Sequence, residues 1–168
     1  MSGRMRAIHL LEIIVCVSLI GCSADEPKIS AVINQSASLD GQLPANPLQW
    51  NVITSEVDPA AVTMSTLYGN EVAVGYARTN SQHEYPTGSV LSLVTWTQME
   101  DGRWFGARIP HEVKSVEFVM VRAAADGGRS YSYQEYEGTP LKMSSLEESS
   151  TPSDRAAYLL SERAAVMP

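Results

Sequence analysis

Five groups of side chains in this sequence could do chemistry. Cys22 closes the run Leu19-Ile20-Gly21-Cys22, in which a thiol follows a small residue and an apolar stretch. The arrangement looks like a bacterial lipobox: the thiol takes a lipid, and Gly21 lets a peptidase reach the bond so that Cys22 becomes the mature N-terminus. Two histidines lie in the body of the chain, His83 before Glu84 and His111 before Glu112. An imidazole with a carboxylate partner could ligate a metal ion or a non-covalent haem. Two such ligands in separate loops form no spacing signature, however, and both read best as surface histidines. The aromatics Trp96, Trp104, Phe105, Tyr131, Tyr133 and Tyr136 could line a pocket for a flat ligand. As cross-strand packing pairs they would instead contribute up to about 1 kcal/mol each. Glu117, Glu135 and Glu137 are candidate acid–base carboxylates that strand alternation is expected to turn to solvent. Arg103 and Arg108, on either side of a hairpin signal, could hold a small anion.

Composition narrows these options. The 168 residues carry 12 Lys and Arg against 19 Asp and Glu, a net charge of −7. Nucleic-acid surfaces need clustered cations, so no nucleic-acid partner is expected. Two cysteines cannot by themselves form a zinc ribbon or a disulfide framework. One of them, Cys16, lies inside the apolar run Ile8–Ile20 that follows Arg4 and Arg6. Such a charged start and short apolar run make a signal segment, too brief for a spanning helix of about 20 residues. Glu12 interrupts the run. Residues 1–21 are therefore read as a lipoprotein signal peptide. With Cys16 removed and Cys22 lipid-blocked, no free thiol remains for catalysis, disulfides or haem attachment. The expected partner is the membrane, through the N-terminal lipid. Ser23 stands where some lipoproteins carry the Asp that retains them at the inner membrane, which favours a periplasm-facing site on the outer membrane. No phosphate loop, nucleophile elbow or zincin helix occurs, so a binding module is expected in preference to an enzyme.

The elements that must position these residues begin late. Residues 22–48 lack periodicity and are rich in Ser, Pro, Asn and Asp, which reads as a flexible tether; residues 49–168 form the domain. Trp50, Val52 and Ile53 open its core. Alternation from Ala61 to Tyr68 suits a half-buried strand, with a helix as the alternative. Asn70 is a helix cap with Glu71 in the first turn, and the pairs Val72/Tyr76 and Ala73/Ala77 predict a helix to about Arg78. Four strands are predicted next, over 89–97, 103–109, 115–122 and 130–136, with hairpin signals at Asp101-Gly102 and Asp126-Gly127-Gly128. Thr151-Pro152-Ser153-Asp154 then starts a C-terminal helix whose apolar side holds Ala156, Leu159, Leu160 and Ala164. The class is α+β: an antiparallel meander with a helix before it and a C-terminal helix.

An ordered set of blocks carries a family likeness. Thr63-Met64, Leu67-Tyr68-Gly69-Asn70, Val72-Ala73 and Tyr85-Pro86-Thr87-Gly88-Ser89-Val90, with Trp96 and Gly106-Ala107, resembles the cytochrome P-460 family from about Trp50 to Leu141. The resemblance implies a periplasmic, mostly β domain with a c-type haem near its C-terminus. Better-known members oxidise hydroxylamine or bind nitric oxide there, and some carry a lysine cross-linked to the haem. Thioether attachment requires Cys-x-x-Cys-His. This chain has no Cys after Cys22 and no His after His111, and none of its lysines falls in the strand over 89–97. No covalent cofactor is therefore expected, and a non-covalent haem on His83 or His111 is the alternative.

Overall fold

The computed structural model describes residues 34–79, 84–144 and 152–165. Six strands form one sheet in the order of the chain: β1 (Asn51–Asp58), β2 (Thr63–Gly69), β3 (Val90–Glu100), β4 (Arg108–Ala123), β5 (Arg129–Glu137) and β6 (Lys142–Met143). Every neighbouring pair is antiparallel, so the expected meander is observed. Helix α1 (Glu71–Thr79) links β2 to β3, and helix α2 (Pro152–Ser161) follows β6. No described helix is long and apolar enough to cross a membrane.

Local signals set most of these elements. The Asn70 side chain caps α1, its Oδ1 accepting from the Ala73 amide at 3.0 Å. The same side chain donates to the Gly88 carbonyl at 2.8 Å, so one residue fixes both the start of α1 and the entry to β3. Ala73, Val74 and Ala77 form the buried face of α1, while Val72 turns outward. Pro152 takes the first position of α2, where its missing amide costs nothing; the Thr151 cap lies outside the described residues. At the second hairpin, the Ala124 amide donates to the Gly128 carbonyl at 3.0 Å.

One prediction fails between β3 and β4. The segment 103–109 was expected to be a strand of its own, but residues 101–107 are the hairpin loop and β4 runs unbroken from Arg108 to Ala123. The Asp101 side chain causes this by accepting from the Arg103 amide at 2.8 Å, which closes the turn one residue after Gly102.

Both faces of the sheet are covered. On one, α1 and α2 lie over Leu67, Leu91, Leu93, Val119 and Val121. On the other, Val94, Trp96, Val116, Phe118 and Tyr136 form a second cluster, and Ala37, Leu39, Leu43 and Trp50 pack on it. The second half of the stretch that composition reads as tether thus roofs this face. The Trp96 indole donates to the Ala37 carbonyl at 3.0 Å. The Leu141 amide donates to the Asp40 carbonyl at 2.7 Å. Gly41, at φ 150°, lies so close to Leu141 that a Cβ would sit 2.4 Å from its carbonyl oxygen, so only glycine fits this approach.

Candidate functional site

The helix-covered face holds the chemistry. Strand alternation places Glu117 in line with Val119 and Val121, toward α2 and not toward solvent. Glu117 is accordingly 2% exposed. The expectation that it points to water is overturned because the sheet is buried on both faces. Glu135, its register partner on β5, is half-buried, and Glu137 alone of the three is exposed.

A buried carboxylate needs a partner, since an isolated charge in an apolar interior is costly. Arg155 of α2 supplies it with a two-pronged grip, Nε to Oε2 at 3.0 Å and Nη2 to Oε1 at 2.6 Å. The Tyr133 hydroxyl donates to the same Oε2 at 2.7 Å. Arg155 also lies over the Tyr158 ring, 5.0 Å from its centroid, and the Tyr158 hydroxyl reaches Glu56 at 3.1 Å. Apolar packing by Ala156 and Leu159 completes the docking of α2. The hydrogen bonds to Glu117 hold the Arg155 guanidinium protonated well above its usual range. Burial, followed by the bond to Glu117, raises the Tyr133 phenol, and burial next to Glu117 and Glu137 raises the Glu135 carboxyl. Arg155 went unnoticed in the sequence. The available signal was an arginine on the apolar side of one helix together with a glutamate inside the apolar run Val116–Val121.

Next to this network, between α2 and the ends of β4 and β5, lies a half-open cavity of about 660 Å³. Val121, Ala157 and Leu160 supply apolar walls, Tyr85 and Tyr131 aromatic ones. Arg129 braces the rim by donating to the carbonyls of Glu84 and Tyr85 at 3.0 and 3.2 Å and pairing with the Glu84 carboxylate at 3.1 Å. The Tyr85 hydroxyl is committed to the Glu162 carbonyl at 3.0 Å. Burial pushes this phenol up to about 12, with the Arg163 guanidinium opposing the rise. Tyr158 is likewise pushed up to about 12, first by burial and then by Glu162 and Glu56. These groups remain neutral donors at physiological pH.

An alkaline prediction follows. Unfolded phenols titrate near pH 10, so between pH 10 and 12 the native chain binds more protons than the unfolded one. Stability is complete below pH 10 and declines as pH rises toward 12. Chemical denaturation between pH 9 and 12 is expected to show this fall, and Tyr85→Phe is expected to flatten it. An identical slope in the variant would contradict the assignment.

The other candidate residues do not assemble. Tyr131 lines the cavity and Tyr133 joins the Glu117 network, but Trp96 packs on the opposite face, and Trp104 and Phe105 stand exposed on the β3–β4 loop. His111 is half-buried near the start of β4, ten residues from Val121 and so roughly 30 Å from the cavity along the strand. His83 and Cys22 lie outside the described residues. Arg103 and Arg108 pair with Asp101 and Glu100. Among the described residues, no three His, Cys, Asp or Glu side chains group to hold a metal ion. None of the lining residues named for the cavity carries a thiol or an imidazole, and none pairs a nucleophile with a base. This donor set does not match a c-type haem, which needs two thiols and an axial histidine.

A six-stranded antiparallel meander covered by a short helix and a C-terminal helix defines an α+β domain with a cavity under its last helix. The family model for cytochrome P460 matches residues 44–154, and the chain belongs to that family, which makes it a haem-related protein. No curated protein matches the chain.

Proposed function

We propose that this protein is a lipid-anchored binding module of the cell envelope whose P460 domain carries no covalent haem. The observation that carries the reading is the docking of α2. Where the family resemblance implies a haem-attachment segment near the C-terminus, this chain has α2, whose inward side chains are Arg155, Ala156 and Leu159, with Arg155 spent on Glu117. The absence of any Cys after Cys22 and of any His after His111 supports the same conclusion. The cavity beside α2 suits an amphipathic small molecule: apolar and aromatic walls, neutral phenols, and a guanidinium–carboxylate pair at the rim. Anchoring rests on the Leu19–Cys22 signature, and in a host with two membranes Ser23 supports a periplasm-facing position on the outer membrane. Cells fed a clickable fatty acid are expected to label the protein, and Cys22→Ala to abolish the label; label that survives the substitution would refute anchoring at this residue.

A second reading is a non-covalent haem with His83 or His111 as its axial ligand, supported by membership of the cytochrome P460 family. Titration of haem into the full chain and its His83→Ala and His111→Ala variants tests it. The reading requires one-to-one binding that one substitution abolishes, and a haem spectrum unchanged in both variants excludes either histidine as ligand.

A further inference from the structure

The end of the sheet opposite the cavity carries a second feature. Within the loop 101–107, the Asp101 amide donates to the Ala107 carbonyl at 3.0 Å and the Ala107 amide to the Trp104 carbonyl at 3.0 Å. These bonds brace the loop backbone. Trp104 is 70% exposed and Phe105 109%. The adjoining β1–β2 turn is tied to the same end, the Gln98 amide donating to the Val62 carbonyl at 3.0 Å, and adds exposed Val57 and Val62, with Met99 next to them. Among the described residues, this end holds the two most exposed of the large apolar side chains. Arg103 pairs with Asp101 and Arg108 with Glu100, and the exposed Asp58 of the β1–β2 turn accepts from the Ala60 and Ala61 amides.

An exposed aromatic patch marks an interaction surface, and two observations name the occupant. Trp and Phe on a tip whose arginines are paired with carboxylates suit the headgroup boundary of a bilayer, where an amphipathic ring has one wet and one apolar side. The described chain also begins here: the Asn34 side chain donates to the Pro110 carbonyl. Asn34 follows Cys22 by twelve residues, a stretch that reaches at most about 40 Å even when fully extended. An anchor at Cys22 thus keeps this end of the domain close to the membrane and raises its effective concentration there.

We propose that the 101–107 loop is a membrane-contact tip that seats Trp104 and Phe105 in the phospholipid headgroup region. The inference rests on the anchored reading above. The lipid retains the protein, and the tip sets its orientation, directing the cavity at the far end of β4 and β5 toward the aqueous side.

The test uses the full chain purified from its own membranes and reconstituted into phosphatidylethanolamine–phosphatidylglycerol vesicles, with and without bromine on the acyl chains. Subtracting the emission of Trp104→Phe from that of the wild type isolates Trp104 from Trp50 and Trp96. At least twofold quenching of this difference by brominated lipid is expected. Equal emission in the two kinds of vesicle overturns the tip, as does emission that is quenched only by an added envelope protein. The mass of the N-terminal peptide reads the anchor separately. A lipidated Cys22 with unquenched Trp104 keeps the anchor and removes the tip, whereas an unmodified Cys22 with quenched Trp104 does the reverse.

Discussion

Arg155→Leu is expected to lower the unfolding free energy by about 3 kcal/mol, because it strands the Glu117 carboxylate in the core. Removing one partner of a buried ion pair typically costs about 3–5 kcal/mol. The Glu117 side chain is 3% exposed but that of Arg155 is 35% exposed, so water reaches part of the gap and the low end of the range applies. What remains to Glu117 is the Tyr133 hydroxyl, which cannot replace a guanidinium. The double variant Glu117→Leu/Arg155→Leu removes both charges and is expected to return to within about 1 kcal/mol of the wild type, since apolar replacements of whole buried pairs are often neutral or better. Urea unfolding of the two single variants and the double variant measures the coupling. If Arg155→Leu costs less than about 1 kcal/mol, the ion pair is not what holds α2 on the sheet. Against a typical total stability of about 5–15 kcal/mol, the expected loss leaves the chain folded with a clearly lower urea midpoint.

Phe118→Ala is expected to cost about 4 kcal/mol from the other face. Phe118 is 1% exposed and meets Trp50 and Tyr136 edge-to-face, at centroid separations of 6.2 and 5.8 Å. Truncating a buried Phe usually costs about 3–5 kcal/mol through lost transfer energy and the cavity left behind, and two aromatic contacts are lost with it. Phe105→Ala is the matched control: the same truncation at a side chain 109% exposed is expected to change stability by less than about 0.5 kcal/mol. Thermal unfolding of the pair separates burial from residue type. A small effect at Phe118 would mean that the segment from Ala37 to Trp50 does not close this face.

β2, β3, β5 and both helices were legible because their signals are local, whereas β1 and the short β6 were not predicted as strands. Asn70 followed by Glu71 marked the start of α1, Asp126-Gly127 marked a hairpin, and Pro152 marked the start of α2. The unity of β4 was not legible. Pro110 argues against a strand interior, yet it is tolerated where the β3–β4 register shifts between Trp96 and Gln98, and its carbonyl serves Asn34. The roof over the second face was hidden because Ala37, Leu39 and Leu43 pack from an irregular segment with no period to detect. The Glu117–Arg155 pair spans 38 residues and depends on how α2 lands on the sheet, so the two charged residues on apolar faces could be noticed in the sequence but not joined. By contrast, the missing haem-attachment motif could be read at once, since it concerns residue types and not their placement.

The central claim is that a P460-family domain functions here without covalent haem, and the absorption spectrum of the full chain purified from its own host tests it most directly. After acid–acetone extraction, which strips non-covalent haem, the protein is expected to show no Soret band and no haem-modified peptide mass. A Soret band that stays with the polypeptide through extraction would contradict the account.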